Sequence, residues 1–332
     1  MDEQVGRPWS AQIELVEGCT RLCGFCGLNA IRTGKGDYKR MSLFTAERTA
    51  NQLAVLNPTA RVEFAMHGEP TVHPDGPRII AMFRAALPKA QIMLTTNGAT
   101  FGDPKTVQSR VEKWFRNGVD FIVCDTYYPE RDELVASLRT LAKPVIVKDF
   151  YTELAPIDWN PYHNHHGKTR NLLVIMDDIG ARDGEHSSRV LLNHAGSNPQ
   201  MGAPEKPLEK TCTNPFRELT VTYDGEVRIC CMSWLPEYVC GNVRTSTLSK
   251  IWWGEEFELA RKMLQNKNRD FAPCRYCNKG SGPRSGLLPK YPPLTQEDIA
   301  RAQTIGKPMM SERLASGAPV SDALKRRLKV IT

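Results

Sequence analysis

Long hydrophobic runs are missing from this chain of 332 residues. No apolar stretch reaches the length of about 20 residues that a transmembrane helix needs. The first residues carry neither the basic segment nor the apolar core of a signal peptide. The sequence also has no internal repeat and no low-complexity tract. We therefore expect a cytoplasmic protein that has no membrane partner.

The glycine patterns that bind nucleotide phosphates are missing as well. The chain contains neither G-x-G-x-x-G nor a P-loop, so a nucleotide-binding Rossmann domain would lack its phosphate cradle. Hydrophobic residues make up 41% and charged residues 24% of the sequence, as in ordinary soluble proteins. The net charge of +7 permits an anionic partner such as a nucleotide or nucleic acid. The basic residues between 325 and 329 equally suit a helix C-terminus, where positive charge is favourable.

Cysteine, in contrast, is abundant. The chain has ten cysteines but no secretion signal, which favours metal binding or redox chemistry over a disulfide framework. Cys19, Cys23 and Cys26 form a C-x3-C-x2-C pattern on a glycine-flanked loop after an apolar run. Three such thiolates can hold three irons of a [4Fe-4S] cluster and leave the fourth iron open. A zinc knuckle or a disulfide loop is the alternative, but structural zinc sites use four ligands and usually pair two C-x2-C units.

The cysteine motif resembles that of the radical S-adenosylmethionine (SAM) superfamily, in which an aromatic residue precedes the last cysteine, as Phe25 does here. The resemblance extends over about residues 10–280. It implies that SAM binds the open iron next to Phe25 and is cleaved by the reduced cluster to a 5′-deoxyadenosyl radical, which abstracts a hydrogen from the substrate. It also implies an electron donor such as flavodoxin or ferredoxin.

A second SAM-binding segment is indicated by His67, Gly68, Glu69 and Pro70. They resemble the family's Gly-Gly-Glu-Pro motif, with His67 in place of the first glycine. The resemblance implies that Gly68, Glu69 and Pro70 form the turn whose backbone carbonyls receive the SAM amino group. Glycine allows a ligand to approach the backbone closely, and proline fixes the turn. An ordinary turn is the alternative.

The ends of predicted strands carry further candidates. Thr95 and Asn97 resemble the family's Thr-Asn-Gly segment, which implies contacts on the cofactor side. Asp125 and Lys148 end the next two strands and are candidate catalytic residues, since either could orient substrate or move a proton. Solvated strand-end charges are the alternative. The His-rich tract 163–166 favours a solvated loop over a metal or substrate site.

Short apolar strands alternate with amphipathic helices in the first 180 residues, which predicts a parallel sheet. The resemblance implies an α/β fold, a partial (β/α)6 TIM-like barrel with its chemistry at the C-terminal strand ends. An open doubly wound sheet is the rival. The predicted strands are Gln12–Val16, Arg61–Met66, Gln91–Thr95, Phe121–Asp125, Val145–Lys148 and Leu172–Met176. The predicted helices are Leu43–Leu56, Pro77–Ala86, Lys105–Asn117 and Arg131–Ala142.

A second cysteine set follows in the chain. Asp-Gly at 224–225, between alternating apolar residues, predicts a hairpin of strands 219–223 and 227–230 that brings two of its cysteines together. A C-x2-C pair comes later, and no cysteine follows it. The arrangement resembles the SPASM domain in its shortened "twitch" form, which implies one auxiliary [4Fe-4S] cluster. The implied ligands are Cys212, Cys230, Cys274 and Cys277.

Other roles are open for the second cysteine set and its neighbours. A four-thiolate zinc site is the alternative for the set itself. Strand alternation turns Cys231 away from Cys230, so Cys231 is structural or a rival ligand. Cys240 could replace one ligand, and Cys124 suits a buried apolar position.

We therefore expect four regions: a radical SAM barrel (1–180), a linker (181–210), an auxiliary cluster domain (211–280) and a tail with short helices (281–332). A fully ligated auxiliary cluster favours electron transfer and substrate oxidation. The net charge favours an anionic nucleotide or a modified base in DNA, in an isomerase-type reaction. The alternatives are a peptide-modifying enzyme, a dehydrogenase of a small hydroxylated metabolite, and a non-catalytic zinc-binding nucleic-acid module.

Overall fold

A computed structural model of the chain describes residues 5–23, 25–30, 34–127, 129–149, 171–176, 193–198, 202–280 and 288–306. Three predicted features lie outside these ranges: the His-rich tract 163–166, the basic residues between 325 and 329, and the helix near 320–330. Half of the predicted linker 181–210 also lies outside them. In the described residues, no helix is both long enough and apolar enough to cross a membrane.

Strands and helices alternate through the first half of the chain. The strands are β1 (Ser10–Ile13), β2 (Val16–Glu17), β3 (Lys39–Arg40), β4 (Arg61–Phe64), β5 (Ile92–Thr96), β6 (Phe121–Asp125), β7 (Ile146–Asp149), β8 (Leu172–Met176), β9 (Glu218–Val221), β10 (Glu226–Arg228) and β11 (Val239–Asn242). The helices are α1 (Leu43–Leu56), α2 (Gly76–Ala86), α3 (Val107–Arg116), α4 (Arg131–Leu138), α5 (Leu248–Trp252), α6 (Glu255–Gln265) and α7 (Gln296–Ile305).

The predicted strands and helices in the described residues are found with ends within two residues of the prediction, apart from two larger differences. The first strand is divided, because β1 ends at Ile13 and Val16 begins β2, which pairs with β3 instead. Helix α4 ends at Leu138 rather than at Ala142. Pro144 lies shortly beyond, and the residue before a proline is disfavoured in a helix.

Nine strands form one sheet in the order β11-β10-β9-β1-β4-β5-β6-β8-β7. Six of them, from β1 to β7 in this order, run parallel. Strand β8 lies between β6 and β7, so the last two barrel strands do not follow chain order. The apolar run Leu172–Ile175 is buried, as an interior position requires. Strand β7 is partly exposed, which suits the edge.

The predicted hairpin forms and joins the same sheet. Strand β9 pairs parallel with β1, and β10 returns antiparallel to β9. Gly225 has φ +86° in the turn between them, a conformation that glycine adopts without strain. The auxiliary region therefore extends the barrel sheet at the edge that β1 would otherwise expose.

Helix α1 shows how the helices cover this sheet. Ser42 caps its N-terminus by accepting a hydrogen bond from the Thr45 amide. Ala46, Ala50 and Leu53 are spaced by about one helical turn, and all are buried in the core. With both faces of the parallel sheet packed, the C-terminal ends of its strands meet at one edge, where side chains can converge.

Candidate active site and auxiliary cluster site

A cavity of about 290 Å³ lies at the C-terminal ends of the parallel strands. All three cysteines of the C-x3-C-x2-C motif line it, together with Phe25 and residues from the ends of β4, β5 and β6. The candidates from the sequence that it brings together are Cys19, Cys23, Phe25, Cys26, Gly68, Glu69, Thr95, Asn97 and Asp125. Pro70 is buried in the turn directly behind Glu69.

The cysteine loop is held against the second SAM-binding segment. Gly18 forms a parallel β-bridge with Gly68, and the Glu69 amide donates to the Gly18 carbonyl over 2.9 Å. A Cβ on Gly68 would overlap the carbonyl oxygens of Val16 and Gly18, so this approach requires glycine. Three half-buried thiols beside a glycine cradle fit the open-iron cluster that the motif implies.

Asn97 connects the cysteine loop to the end of β5. Its side-chain amide donates to the Cys19 sulfur over 3.2 Å and to the Thr20 hydroxyl over 3.2 Å. Hydrogen bonds to a ligating sulfur orient it and tune a bound cluster. Asn97 therefore contacts Cys19, one of the cysteines that would hold iron. The sequence predicted only that Asn97 would lie on the cofactor side of the site.

Glu69 is a structural junction inside the turn. Its carboxylate accepts hydrogen bonds from the Thr71 amide and hydroxyl, from the Thr96 hydroxyl at 2.6 Å and from the Asn97 amide at 2.7 Å. Burial raises the pKa of Glu69, against the opposing effect of these donors. The carboxylate fixes the SAM-binding turn to the end of β5.

The two candidate catalytic residues lie in different places. Asp125 ends β6 and lines the cavity, where burial and the nearby Glu69 raise its pKa to about 7. Lys148 lies on the edge strand β7 and is not among the described residues that line this cavity. The exchange of β7 and β8 in the sheet removes Lys148 from the position that chain order predicts.

A buried His–Glu pair borders the same cavity. His67 Nδ1 lies 2.8 Å from Glu14 Oε1, and both side chains are fully buried. Burial would raise the pKa of Glu14, but His67, Arg228 and the Tyr223 amide lower it below its usual value. Glu14 lies directly after β1 in an apolar run, so no sequence motif indicated this partner of His67.

His194 and Trp234 complete the cavity wall. Their rings are stacked, with centroids 4.4 Å apart, and Trp234 also packs on His67 at 4.8 Å. Burial and the neighbouring His67 lower the pKa of His194 to about 4, so its imidazole is neutral near pH 7. Arg228 holds the Trp234 carbonyl at 2.9 Å. Neither wall residue belongs to a recognisable sequence motif.

A second cavity gathers the second cysteine set. All four predicted auxiliary ligands line it, and so do the cationic side chains Arg269 and Lys279. Arg269 donates to the carbonyls of Lys210 and Thr211 on one side and of Lys279 on the other, at 2.6 to 2.9 Å. It thereby ties the chain before Cys212 to the chain after Cys277. Four thiols beside two cations fit an anionic thiolate-bound cluster.

The remaining cysteines lie elsewhere. The Cys231 thiol faces Glu218, with its sulfur 3.7 Å from a carboxylate oxygen, and Cys240 and Cys124 are buried. In the described part of the chain, no three His, Cys, Asp or Glu side chains are placed to share a single metal ion.

A single layer of chain separates the two cavities. In the segment 193–198, His194 lines the first cavity and Ala195 the second. In the segment 230–234, Trp234 lines the first and Met232 the second. The two cysteine sets therefore lie on opposite sides of one shared wall.

Comparisons with known proteins agree with both sites. The radical SAM superfamily model matches residues 13–143, and the SPASM model, an iron–sulfur cluster-binding domain, matches residues 212–278. This chain contains a radical SAM domain and a SPASM domain. Radical SAM domains bind SAM at a [4Fe-4S] cluster, and SPASM domains bind an auxiliary iron–sulfur cluster. The matched ranges fall within the predicted regions 1–180 and 211–280, whose boundaries stay predictions.

Several relatives share the fold of this radical SAM enzyme. The SAM-dependent 2-deoxy-scyllo-inosamine dehydrogenase of Niallia circulans is 24% identical over 277 residues, covering 81% of this chain and 92% of the relative. The crystal structure of BtrN with AdoMet and 2-DOIA has a TM-score of 0.61 and 20% identity, over 82% of this chain and 93% of that one. An open form of BtrN has a TM-score of 0.54 and 20% identity, over 84% and 94% of the two chains. The predicted α/β fold with a parallel radical SAM sheet is confirmed.

Proposed function

We propose that this enzyme is a dehydrogenase that oxidises a secondary alcohol of a small hydroxylated, aminated metabolite to a ketone. The observation that carries this proposal is the pair of cysteine-lined cavities on opposite sides of one wall. A substrate in the first cavity would lie close to an electron acceptor in the second. The similarity to the Niallia circulans dehydrogenase supports the same reaction class.

The chain's thiols would divide between two clusters. In this proposal Cys19, Cys23 and Cys26 hold the SAM-binding cluster, and the four cysteines of the second cavity hold the auxiliary one. The bound cofactors supply a SAM-derived radical that takes a hydrogen atom from the carbinol carbon and an auxiliary cluster that takes the remaining electron. A flavodoxin or ferredoxin is the proposed source of the reducing electron.

The charge of the first cavity supports an aminated substrate. Asp125 and Glu69 are acidic residues that line it, and the Glu69 carboxylate is already saturated by four donors. Asp125 is therefore placed to accept a hydrogen bond from a substrate ammonium or hydroxyl group. An ammonium group would also stabilise the charged form of Asp125 against the burial that raises its pKa. Arg21 also lines the cavity, and its guanidinium is paired with the Glu130 carboxylate at 2.8 Å.

The side chains around the cavity also exclude water. Tyr127, Trp234 and His194 line it with aromatic rings, and burial holds the pKa of Tyr127 well above its usual value. A dry cavity limits quenching of a substrate radical by solvent.

The test is a substrate assay on anaerobically reconstituted protein. Iron and sulfide are counted, and dithionite and SAM are added with a panel of aminocyclitols deuterated at the carbinol carbon. We expect about eight irons, from two clusters, deuterium transfer into 5′-deoxyadenosine, and a ketone product. A matched panel lacking the amino group should be a poorer substrate for the wild type, and Asp125→Asn should reduce that preference.

Other panels decide between the remaining substrate classes. Turnover of modified thymidine nucleotides or peptides, with no alcohol oxidised, would contradict the proposal and favour an isomerase or a peptide-modifying enzyme. The positive net charge of the chain is the feature that supports a nucleotide substrate. About four irons with zinc would contradict the auxiliary cluster ligands.

A further inference from the structure

The oxidation leaves one proton without an acceptor. When a secondary alcohol loses a hydrogen atom from carbon and one electron, its hydroxyl proton must leave before the C=O bond is complete. With the cofactors bound, a SAM-derived radical would supply the acceptor for the hydrogen atom, and the auxiliary cluster the acceptor for the electron. The proton requires a base in the substrate cavity.

His67 has the surroundings of such a base. Its Nδ1 lies 2.8 Å from Glu14 Oε1, and a carboxylate at that distance can fix the tautomer and orientation of an imidazole. Both ring nitrogens are buried, and neither makes a well-aligned hydrogen bond to a described residue, so Nε2 has no partner there at all. A buried polar atom without a partner is costly, so a ligand that supplies the missing hydrogen bond is favoured there. The residue itself lines the cavity.

The backbone before His67 supports a functional reason for its position. Met66 has φ +85°, in the left-handed region that residues other than glycine rarely adopt. Such strain is concentrated at functional sites. Met66 also lines the cavity. The strained turn presents a histidine where the resembling motif carries a glycine.

We propose that the Glu14–His67 pair is the general base of the dehydrogenation, with His67 Nε2 accepting the hydroxyl proton of the substrate. This inference rests on the proposed function. Glu14 acts as a positioning residue that holds His67 with Nε2 unprotonated and stabilises the imidazolium that forms. The proton then leaves through solvent exchange after product release.

The surrounding charges are consistent with this assignment. Arg228 is a charged neighbour of Glu14 and contributes to the low pKa of its carboxyl, so Glu14 is ionised when it faces His67. His194 faces His67 across Trp234 and is neutral near pH 7, since burial and His67 lower its pKa to about 4. His67 therefore has the anionic Glu14 as a neighbour, and the neutral His194 does not compete with His67 for that negative charge.

The first test uses His67→Gln and His67→Gly in the reconstituted holoenzyme. His67→Gly restores the glycine of the resembling motif, so the SAM-binding turn should keep its shape. Both variants should cleave SAM and transfer deuterium from the carbinol carbon into 5′-deoxyadenosine. Ketone formation should fall by roughly 10²- to 10⁴-fold. Added imidazole should restore part of the ketone yield in His67→Gly.

The pH profile separates a base from a structural residue. Ketone formation by the wild type should fall at acidic pH as the base becomes protonated, and this acidic limb should be lost in His67→Gln. His73→Gln is the matched control, since His73 is a buried histidine that bonds the Met41 carbonyl at 2.9 Å away from the cavity. That variant should keep the wild-type profile. Wild-type ketone yields and profiles in both His67 variants would overturn the assignment.

A spectroscopic measurement tests the pair without turnover. In ¹⁵N-histidine NMR of the oxidised holoenzyme, the His67 resonances, assigned by their loss in His67→Gln, should show a protonated Nδ1 and an unprotonated Nε2 at pH 8. Glu14→Gln should disturb that tautomer. A protonated Nε2 in the wild type would overturn the inference. If the tautomer is as expected but the wild-type enzyme oxidises no alcohol, the proposed dehydrogenase function is wrong. The assignment of His67 as its general base is then wrong as well.

Discussion

At the predicted SAM-binding turn, the space beside Gly68 is too small for a side chain. Gly68→Ala would place a Cβ on the carbonyl oxygens of Val16 and Gly18, which are backbone atoms that cannot rotate away. We expect loss of SAM cleavage by at least roughly 10²-fold, because a misplacement of about 1 Å has such an effect on a positioned reaction. The measurement is 5′-deoxyadenosine formation with dithionite. Gly102→Ala, where a Cβ meets nothing within 4 Å, should leave the rate unchanged.

Asp125 gives the molecule a pH dependence of stability. Its pKa is raised from 3.8 to about 7, so the folded state holds a proton that the unfolded state has released between these values. Stability contributed by this proton is present at low pH and is lost as pH rises through about 7. Asp125→Asn should therefore raise the Tm at pH 8.5 more than at pH 6, measured by thermal unfolding of the holoenzyme. An equal effect at both pH values would contradict the raised pKa.

The auxiliary region is built from elements that converge on one cavity. Replacing Cys212 or Cys274 by Ser should reduce the iron content from about eight to about four atoms per chain. Cys231→Ser is the matched control, since the Cys231 thiol faces Glu218 rather than that cavity. It should keep both clusters. Iron analysis with electron paramagnetic resonance of the reduced protein measures the result, and loss of four irons in the control would identify Cys231 as a ligand.

Helices and strands were predictable where local pattern decides them. Helix α1 has the predicted bounds, because an N-cap serine and apolar residues at helical spacing specify it. The position of β8 between β6 and β7 depends on which strand has both faces covered, and this is not a local property. Lys148 was therefore placed at the cavity by chain order, whereas the sheet puts it at the edge.

Part of the site was also predictable, because local sequence patterns indicate it. Cysteine spacing indicated the first set and the later C-x2-C pair, and the resemblance to the SPASM domain added Cys212 and Cys230 to that pair. The partner of His67 could not be found in this way. Glu14 lies 53 positions before it in an apolar run, and the two meet because β1 and β4 are neighbours in the sheet.

At the scale of the whole molecule, the two cluster regions share one sheet and should unfold together. Arg261 is fully buried between Trp252 and Phe257 and donates to the Pro215 carbonyl at 2.8 Å. Arg261→Met should destabilise the protein by about 1–3 kcal/mol, because it leaves the Pro215 carbonyl without its buried donor. Absorbance of both clusters should then be lost at one lower temperature.

An exposed arginine provides the control for that prediction. Arg301 pairs with Glu255 at 2.6 Å, but both side chains are largely solvent-accessible. Arg301→Met should change stability by less than about 1 kcal/mol. Two separate transitions in Arg261→Met, with the first cluster unaffected, would show that the regions unfold independently.

The carboxylate of Glu14 also sets an order of events during synthesis. Its second oxygen accepts the amide of Tyr223, which lies 209 positions later in the chain. At about 5–20 residues per second, a ribosome needs roughly 10 to 40 s to make the intervening segment. The first cysteine motif leaves the ribosome long before the strand that completes its surroundings. Iron that arrives in that interval would find the first three cysteines without the strand that completes their cavity. We therefore expect the first cluster to be inserted only after the second half of the protein has been made.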